Sequence, residues 1–335
     1  QRQMCIRDSH YWVPLGDNLA GGIIHSASAN NLSWQDETRW ISHNQETSAT
    51  TEHLWYQRYH VIASANAIIN KGAEGTLPED ARFKEILGQA YAYRAYAYLS
   101  LVQHYGKGYL IGNPSTDPGV PLLFASEAPF TSAPRSTVQA IYDQCMSDIN
   151  TSISYFEGAT SRPTGNAFDK SQLNIDVAYG LKARIALNSG DWSTASAAAK
   201  LARENYPIMD ESDYYSGFNT TMLPEVMWGS NVIATETTYF RSYFYLASNT
   251  FNGSQVRNNP KLIDKRLYAQ IPDTDYRQGL FLKDAPNTNG SAANGLGGWA
   301  KNTNPLYTTE AEFDAERERL EGVYGWTSRH NAHPY

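Results

Sequence analysis

The sequence predicts a mainly α-helical protein: a scaffold of helical hairpins carrying an irregular, loop-rich lobe and a few short strands. Three observations carry this. Apolar residues recur at helical spacing from Thr51 to Lys71, and a second long, alanine-containing stretch runs to Tyr105. A pair of alanine-spaced segments flanks a tight turn at Gly190-Asp191-Trp192. After Pro207 the chain becomes rich in Asn, Gly, Thr and aromatic residues and loses its helical period.

The first helix is read over Thr51–Lys71, where Leu54, Val61, Ile62, Ala65, Ile68 and Ile69 share a face, and Gly72 is expected to end it in a left-handed conformation. The second opens at Pro78-Glu79-Asp80, with proline in the first turn and acids at the positive end of the helix dipole, and runs to Tyr105 before Gly106. Its middle, AYAYRAYAYL (90–99), alternates with period two, as a strand would. Length and alanine content decide for helix, because the run far exceeds a usual strand and alanine is the best helix former. Tyrosines on several faces imply more than one packing neighbour, and Arg94 among them is expected to be a paired buried charge.

Residues 106–136 read as a long surface connection rich in Gly, Pro, Ser and Thr. Ser136-Thr137 then cap a helix of 138–157 with Ile141, Cys145, Ile149 and Ile153 at spacing four. The pair 175–189 and 193–205 is tested against the 34-residue tetratricopeptide template. Anchored on Ala195, the small positions fall on Ala183, Ala186, Ala199 and Ala202, and the closing proline on Pro207. One degenerate repeat results, with the earlier helices as relatives. Beyond it, Pro224–Gly229 reads as a short buried strand, and short helices are expected at 260–268 and 309–320. The scaffold therefore spans about 50–207 and the lobe about 208–335, within a single domain of 10–335 that is expected to be incomplete at its C-terminus. The opening QRQMCIRDS resembles translated adapter sequence, and residues 1–9 are read as a non-native segment.

Composition narrows the function. The net charge is −7 over 335 residues, with no basic stripe, which argues against nucleic acid as a partner. Two cysteines, Cys5 and Cys145, supply neither a disulfide framework nor a thiolate metal site. Eight scattered histidines show no metal-ligand spacing, and neither a nucleophile elbow nor a phosphate-cradling glycine loop is present. No catalytic residue, metal or cofactor is therefore expected. The unusual quantity is aromatic: 23 Tyr and 8 Trp. Flat rings with a polar edge suit sugar recognition, stacking on C–H faces while amides and guanidinium groups meet the hydroxyls.

Arg94-Ala-Tyr-Ala-Tyr-Leu-Ser-Leu-Val-Gln-His-Tyr-Gly106 resembles the central helix of the SusD/RagB-type outer-membrane lipoproteins of Bacteroidetes. The resemblance continues through Pro118-Gly-Val-Pro121, Pro134-Arg-Ser-Thr137 before Ile141-Tyr142 and Asp148-Ile149, Ala183-Arg184-Ile-Ala-Leu187 with Gly190-Asp191-Trp192, and Pro224-Glu225-Val226. What it implies is a non-catalytic, outward-facing lipoprotein of the cell outer membrane. Such a protein binds oligosaccharide or polysaccharide and delivers it to a SusC-like TonB-dependent transporter. Membrane attachment would come only through a lipid anchor that this sequence does not show. Two other readings stay open: a helical glycoside hydrolase, which needs only a carboxylate pair such as Asp36/Glu37 or one drawn from Asp210, Glu211 and Asp213, and a helical-repeat adaptor for protein partners.

The candidate ligand residues form three groups. Asn31, Trp34, Arg39 and Trp40 lie in the stretch that, in the family, contributes aromatic and amide contacts to glycan. Tyr239, Arg241, Tyr243 and Tyr245 would share one face if the backbone there is extended. Trp299 sits in a glycine loop, Gly297-Gly298-Trp299. Trp55, Trp192 and Trp228 are expected to be structural.

Overall fold

The computed structural model describes residues 23–25, 40–41, 44–125, 132–160, 162–163, 165–216, 220–231, 261–280, 309, 311–312 and 315. The chain divides into two compact units: Glu46–Ile208 with Pro224–Asn231, and Gln1–Gln45 with Met209–Leu223 and Val232–Tyr335.

The first unit is a stack of helices: α1 (Ala49–Ala73), α2 (Ala81–Tyr105), α3 (Val138–Glu157), α4 (Ile175–Ser189) and α5 (Trp192–Arg203). Each starts where a side-chain oxygen accepts from an orphan backbone N–H: Ser48 from Thr51, Asp80 from Phe83, Thr137 from Ala140, Asn174 from Val177 and Asp191 from Thr194. Consecutive helices pack on one another, and α2 also touches α4. The α1–α2 pair is antiparallel, since the Tyr105 hydroxyl at the end of α2 donates to the Thr51 carbonyl at the start of α1. The α2–α3 pair is antiparallel too, since the Ser152 hydroxyl late in α3 donates to the Gly88 carbonyl early in α2.

The predicted helix at 90–99 is found inside α2, and its four alanines, Ala90, Ala92, Ala95 and Ala97, are all buried. Its tyrosines serve separate neighbours. Tyr91 stacks on Tyr155 of α3, and Tyr93 and Tyr96 meet Trp228 edge-on. Tyr98 is fully buried. The stripe Ile141, Cys145, Ile149 and Ile153 of α3 completes the core with Leu173, Val177, Leu181 and Ile185.

Several boundaries differ from the sequence reading, each for a physical reason. Gly72 lies inside α1, where an added Cβ would stand 2.8 Å from Leu87 Cδ2, so its small size serves packing against α2. The left-handed residue is Gly75, with φ +66°. On α5 the buried stripe is Ala195, Ala198 and Ala202, the i, i+3, i+7 face toward α4, and Ala199 of the template is exposed. Ala186 is buried as expected, Ala183 only half so, and Gly190 takes the left-handed conformation between the helices.

The connection 106–136 is more than surface cover. Pro118 bridges Thr137, Gly119 and Ser136 exchange a backbone bond, and Val120 is fully buried. Its buried backbone is satisfied by side chains of α1 and α2. The Tyr59 hydroxyl donates to Pro121 O, Asn66 to Leu123 O, and the Tyr98 hydroxyl both donates to Leu123 O and accepts from Leu123 N.

Pro224–Gly229 is a run of turns and bends, not a strand. Its polar groups find partners that no neighbouring strand supplies. Arg162 donates to Met227 O from both Nη atoms, Gly229 N donates to Lys170 O, and Trp228 Nε1 donates to Ser171 O.

In the second unit, β1 (Ile23–His25) pairs antiparallel with β2 (Lys261–Ile263), Ile23 opposite Ile263 and His25 opposite Lys261. The helix expected at 260–268 is thereby shortened to α7 (Lys265–Tyr268), because pairing with β1 claims its first residues. A short α6 (Glu211–Tyr215) precedes α7 in the chain, and a 3-10 turn, Tyr276–Leu280, follows it. Thr309 and Glu312 exchange reciprocal side-chain to backbone bonds, a capping-box pattern, while most of the helix read over 309–320 lies outside the described residues.

Candidate functional site

The helical unit holds a buried ion pair, Arg94 with Asp148, and it is structural. Arg94 donates from Nε and Nη2 to the two oxygens of Asp148 at 2.8 and 2.6 Å and from Nη1 to Asn66 at 2.9 Å. Tyr91 and Phe124 place their rings 5.3 and 5.4 Å from the guanidinium. Burial by itself depresses the Arg94 pKa, and the bond to Asp148 with its charge reverses this, holding the guanidinium above its ordinary value. The pair is saturated by protein groups and offers no chemistry to a ligand. Cys145 is similarly walled in: its thiol points at Ala95 O, and burial pushes its pKa well up, the reverse of an activated nucleophile.

The tryptophans divide differently from expectation. Trp55 packs on Tyr59 and Tyr105 with ring centroids 5.0 Å from each, and Trp228 sits against Tyr93 and Tyr96, so both are structural. Trp192 is 60% exposed, a correction. It opens α5 beyond the last turn of α4, where no described element covers it. Leu187, Leu110 and Ile111 are exposed beside the same turn, and an added Cβ on Gly190 would stand 2.9 Å from Leu110 Cδ2.

Of the candidate ligand residues, the structure describes Trp40. It lies in a turn with φ +58°, a conformation that bulky residues rarely adopt, and its side chain is 56% exposed next to exposed Ile41. Asn31, Trp34, Arg39, Tyr239, Arg241, Tyr243, Tyr245 and Trp299 lie outside the described residues, as do Asp36 and Glu37. Asp210 caps α6 and accepts from Asp213 N, so the acidic cluster there has a local structural role.

A second aromatic group in the same unit was not singled out from the sequence. Tyr214 and Tyr215 of α6 meet Tyr276 at centroid distances of 5.1 and 6.3 Å, edge-on, and the Tyr215 hydroxyl donates to Tyr276 O at 2.5 Å. Next to Tyr276, Asp275 holds Arg277 through Nε and Nη2. The side-chain bond from Arg277 is the main reason the Asp275 carboxyl sits below the ordinary carboxylate range. Because 61 residues separate Tyr215 from Tyr276, no local spacing could reveal the group. The only signals were the Tyr214-Tyr215 doublet and the Asp-Tyr-Arg triplet at 275–277.

Among the described residues, no group of three or more His, Cys, Asp or Glu side chains is placed to hold a metal ion, and no helix is long and apolar enough to cross a membrane.

Comparison with known proteins gives a consistent answer. Residues 16–187, just over half the chain, match the SusD-like family model, described as starch-binding and associating with outer membrane. SusD-like protein P38 from Formosa agariphila is 33% identical over 114 residues, which make up 32% of this chain and 19% of that protein. A SusD-like carbohydrate binding protein from Bacteroides vulgatus superposes with a TM-score of 0.68 at 22% identity, covering 83% of this chain and 58% of that one. A SusD superfamily protein from Bacteroides thetaiotaomicron gives 0.67 at 19% identity, covering 83% of this chain and 61% of that one. The chain thus spans about three fifths of the length of these structures. The central helix with its tyrosines, the following hairpin around Gly190 and the matched family model together place this chain in the SusD-like family.

Proposed function

We propose that this chain captures oligosaccharide or polysaccharide without transforming it, at the outward face of the outer membrane as part of a lipoprotein, and delivers it to a SusC-like TonB-dependent transporter. The observation that carries the reading is the family match over residues 16–187. It is supported by Trp40, which is 56% exposed at a backbone φ of +58°. Trp34, Asn31 and Arg39 would complete a contact with Trp40. Tyr239, Arg241, Tyr243, Tyr245 and Trp299 would add a second, from the lobe.

The transporter part of the reading is supported by the tip of the α4–α5 hairpin. Trp192, Leu187, Leu110 and Ile111 are exposed there, and exposed large apolar groups of this kind mark protein contacts.

The test is native affinity electrophoresis in gels carrying soluble polysaccharides, with reducing-sugar release followed on the same samples. Retardation by at least one glycan without sugar release, weakened by Trp40→Ala or Trp34→Ala, is the expected result. Sugar release, or equal mobility in every gel by a protein with native helical circular dichroism, would overturn the reading.

A further inference from the structure

We infer that Tyr214, Tyr215 and Tyr276 with the Asp275–Arg277 pair form a contact site for neutral glycan. The inference rests on the glycan-capture reading and adds both a location and a substrate class to it. The three rings form a closed edge-to-face set, with Tyr214 and Tyr215 also 6.4 Å apart. The hydroxyl of Tyr215 is consumed in locking α6 to the 3-10 turn, which fixes the relative placement of the rings. Tyr276 is 39% exposed within this locked set, so a ring is presented with little freedom left to lose on binding.

The polar groups beside the rings are arranged in the same way. Arg277 is held to Asp275 by Nε and Nη2 at 2.9 and 2.5 Å, while its side chain remains 63% exposed. Neither Nη1 of Arg277 nor the Tyr276 hydroxyl makes a hydrogen bond to any described residue. A locked guanidinium with a spare edge, a carboxylate and a phenol next to a ring face together offer donors and acceptors to a pyranose whose own hydroxyls do both.

The charge balance selects the class of sugar. Arg277 is neutralised by Asp275, and Glu211 lies near enough to Tyr215 to act on its hydroxyl, whose pKa is raised first by burial and then by Glu211 and Asp275. Among the described groups beside these rings, the charge is therefore neutral to negative. A uronate or sulfated chain would be repelled, whereas a neutral hexose polymer is not.

The experiment is affinity electrophoresis of the full chain in gels containing soluble starch, dextran or galactomannan, against gels with polygalacturonate or alginate. The variants are Tyr276→Ala, Tyr276→Phe and Arg277→Gln, with Tyr56→Ala as the control, an exposed ring of the helical unit that packs at a tilt against His60. The expected result is retardation by a neutral polymer, weakened roughly tenfold in Tyr276→Ala and Arg277→Gln, at most about threefold in Tyr276→Phe, and unchanged in Tyr56→Ala. Retardation of the parent chain with no loss in Tyr276→Ala or Arg277→Gln would overturn this site while leaving glycan capture standing. Retardation by acidic polymers alone would overturn the substrate class. Absence of retardation in every gel by the parent chain would overturn capture, and this site with it. Arg277→Gln guards against misfolding, because its side chain is largely solvated.

Discussion

Replacing Asp148 by alanine is the sharpest test of how the helical unit is held together. The carboxylate side chain is 2% exposed and the Arg94 side chain 6%, and two bonds at 2.6 and 2.8 Å join them. Without Asp148 the guanidinium keeps one neutral partner, Asn66, and the two ring faces of Tyr91 and Phe124. Removing one member of a buried pair costs about 3–5 kcal/mol, most of it from the charge left behind. With a urea m-value of about 2–3 kcal/mol/M, the midpoint should fall by more than about 1 M, read by circular dichroism at 222 nm. The paired replacement Arg94→Met with Asp148→Leu removes both charges and should recover most of the loss. A single replacement costing under about 1 kcal/mol, or a double replacement as damaging as the single one, would refute the reasoning.

Other predictions follow from single contacts. Tyr98→Phe removes the hydroxyl that serves both N and O of Leu123, so it should cost about 1–3 kcal/mol and speed proteolysis near residues 121–125. Gly190→Ala combines a φ of +84° with a Cβ placed 2.9 Å from Leu110 Cδ2, whereas Gly75→Ala, at φ +66° with nothing within 4 Å, carries the backbone penalty alone. In thermal melts the first should therefore lose more than the second, which should stay near about 1 kcal/mol. At high pH, Tyr98, Tyr105 and Tyr142 are each pushed up to about 12, chiefly by burial, from an ordinary 10.0. Their stabilising contribution is complete below pH 10, where the unfolded chain is also protonated, and is lost as pH rises from about 10 to about 12. Absorbance at 295 nm should show these tyrosines ionising together with the loss of helical signal, and Tyr98→Phe should remove one of them.

The helices were legible from apolar spacing, alanine content and their stop residues, although their capping residues were read in advance only at Thr137. Ser48, Asp80, Thr137, Asn174 and Asp191 cap them, and the stripe from Ile141 to Ile153 is read by spacing alone. What failed was whatever depends on a distant partner. Lys261–Ile263 looked helical because β1 lies more than 200 residues away in the chain, and only pairing makes it a strand. Pro224–Gly229 had a strand's residues, but Arg162 takes the Met227 carbonyl that a ladder would have used. Gly72 has the look of a helix stop because packing on Leu87 and chain reversal ask for the same residue. Of the candidate ligand residues, Trp40 is described and exposed, which local chemistry alone could suggest. The Tyr214–Tyr276 group depends on two segments meeting and has no spacing signature.

The destination of the tyrosines changes the weight of the compositional argument. Twelve of the 23, from Tyr56 to Tyr206, belong to Glu46–Ile208, and much of that set is committed to structure. Tyr59, Tyr98 and Tyr105 spend their hydroxyls on backbone carbonyls, Tyr109 donates to Gln139, and Tyr93 and Tyr96 hold Trp228. A helical stack with a buried connecting segment needs long side chains with a polar tip, and tyrosine supplies them without charge. Aromatic abundance in the helical unit therefore says little about ligands. The rings left to test are those outside it: the exposed Trp40, at φ +58°, and Tyr276 beside the Asp275–Arg277 pair. Loss of glycan retardation on replacing Tyr59 or Tyr105, with the fold intact, would contradict this division. Loss confined to Trp40 and Tyr276 would follow from it.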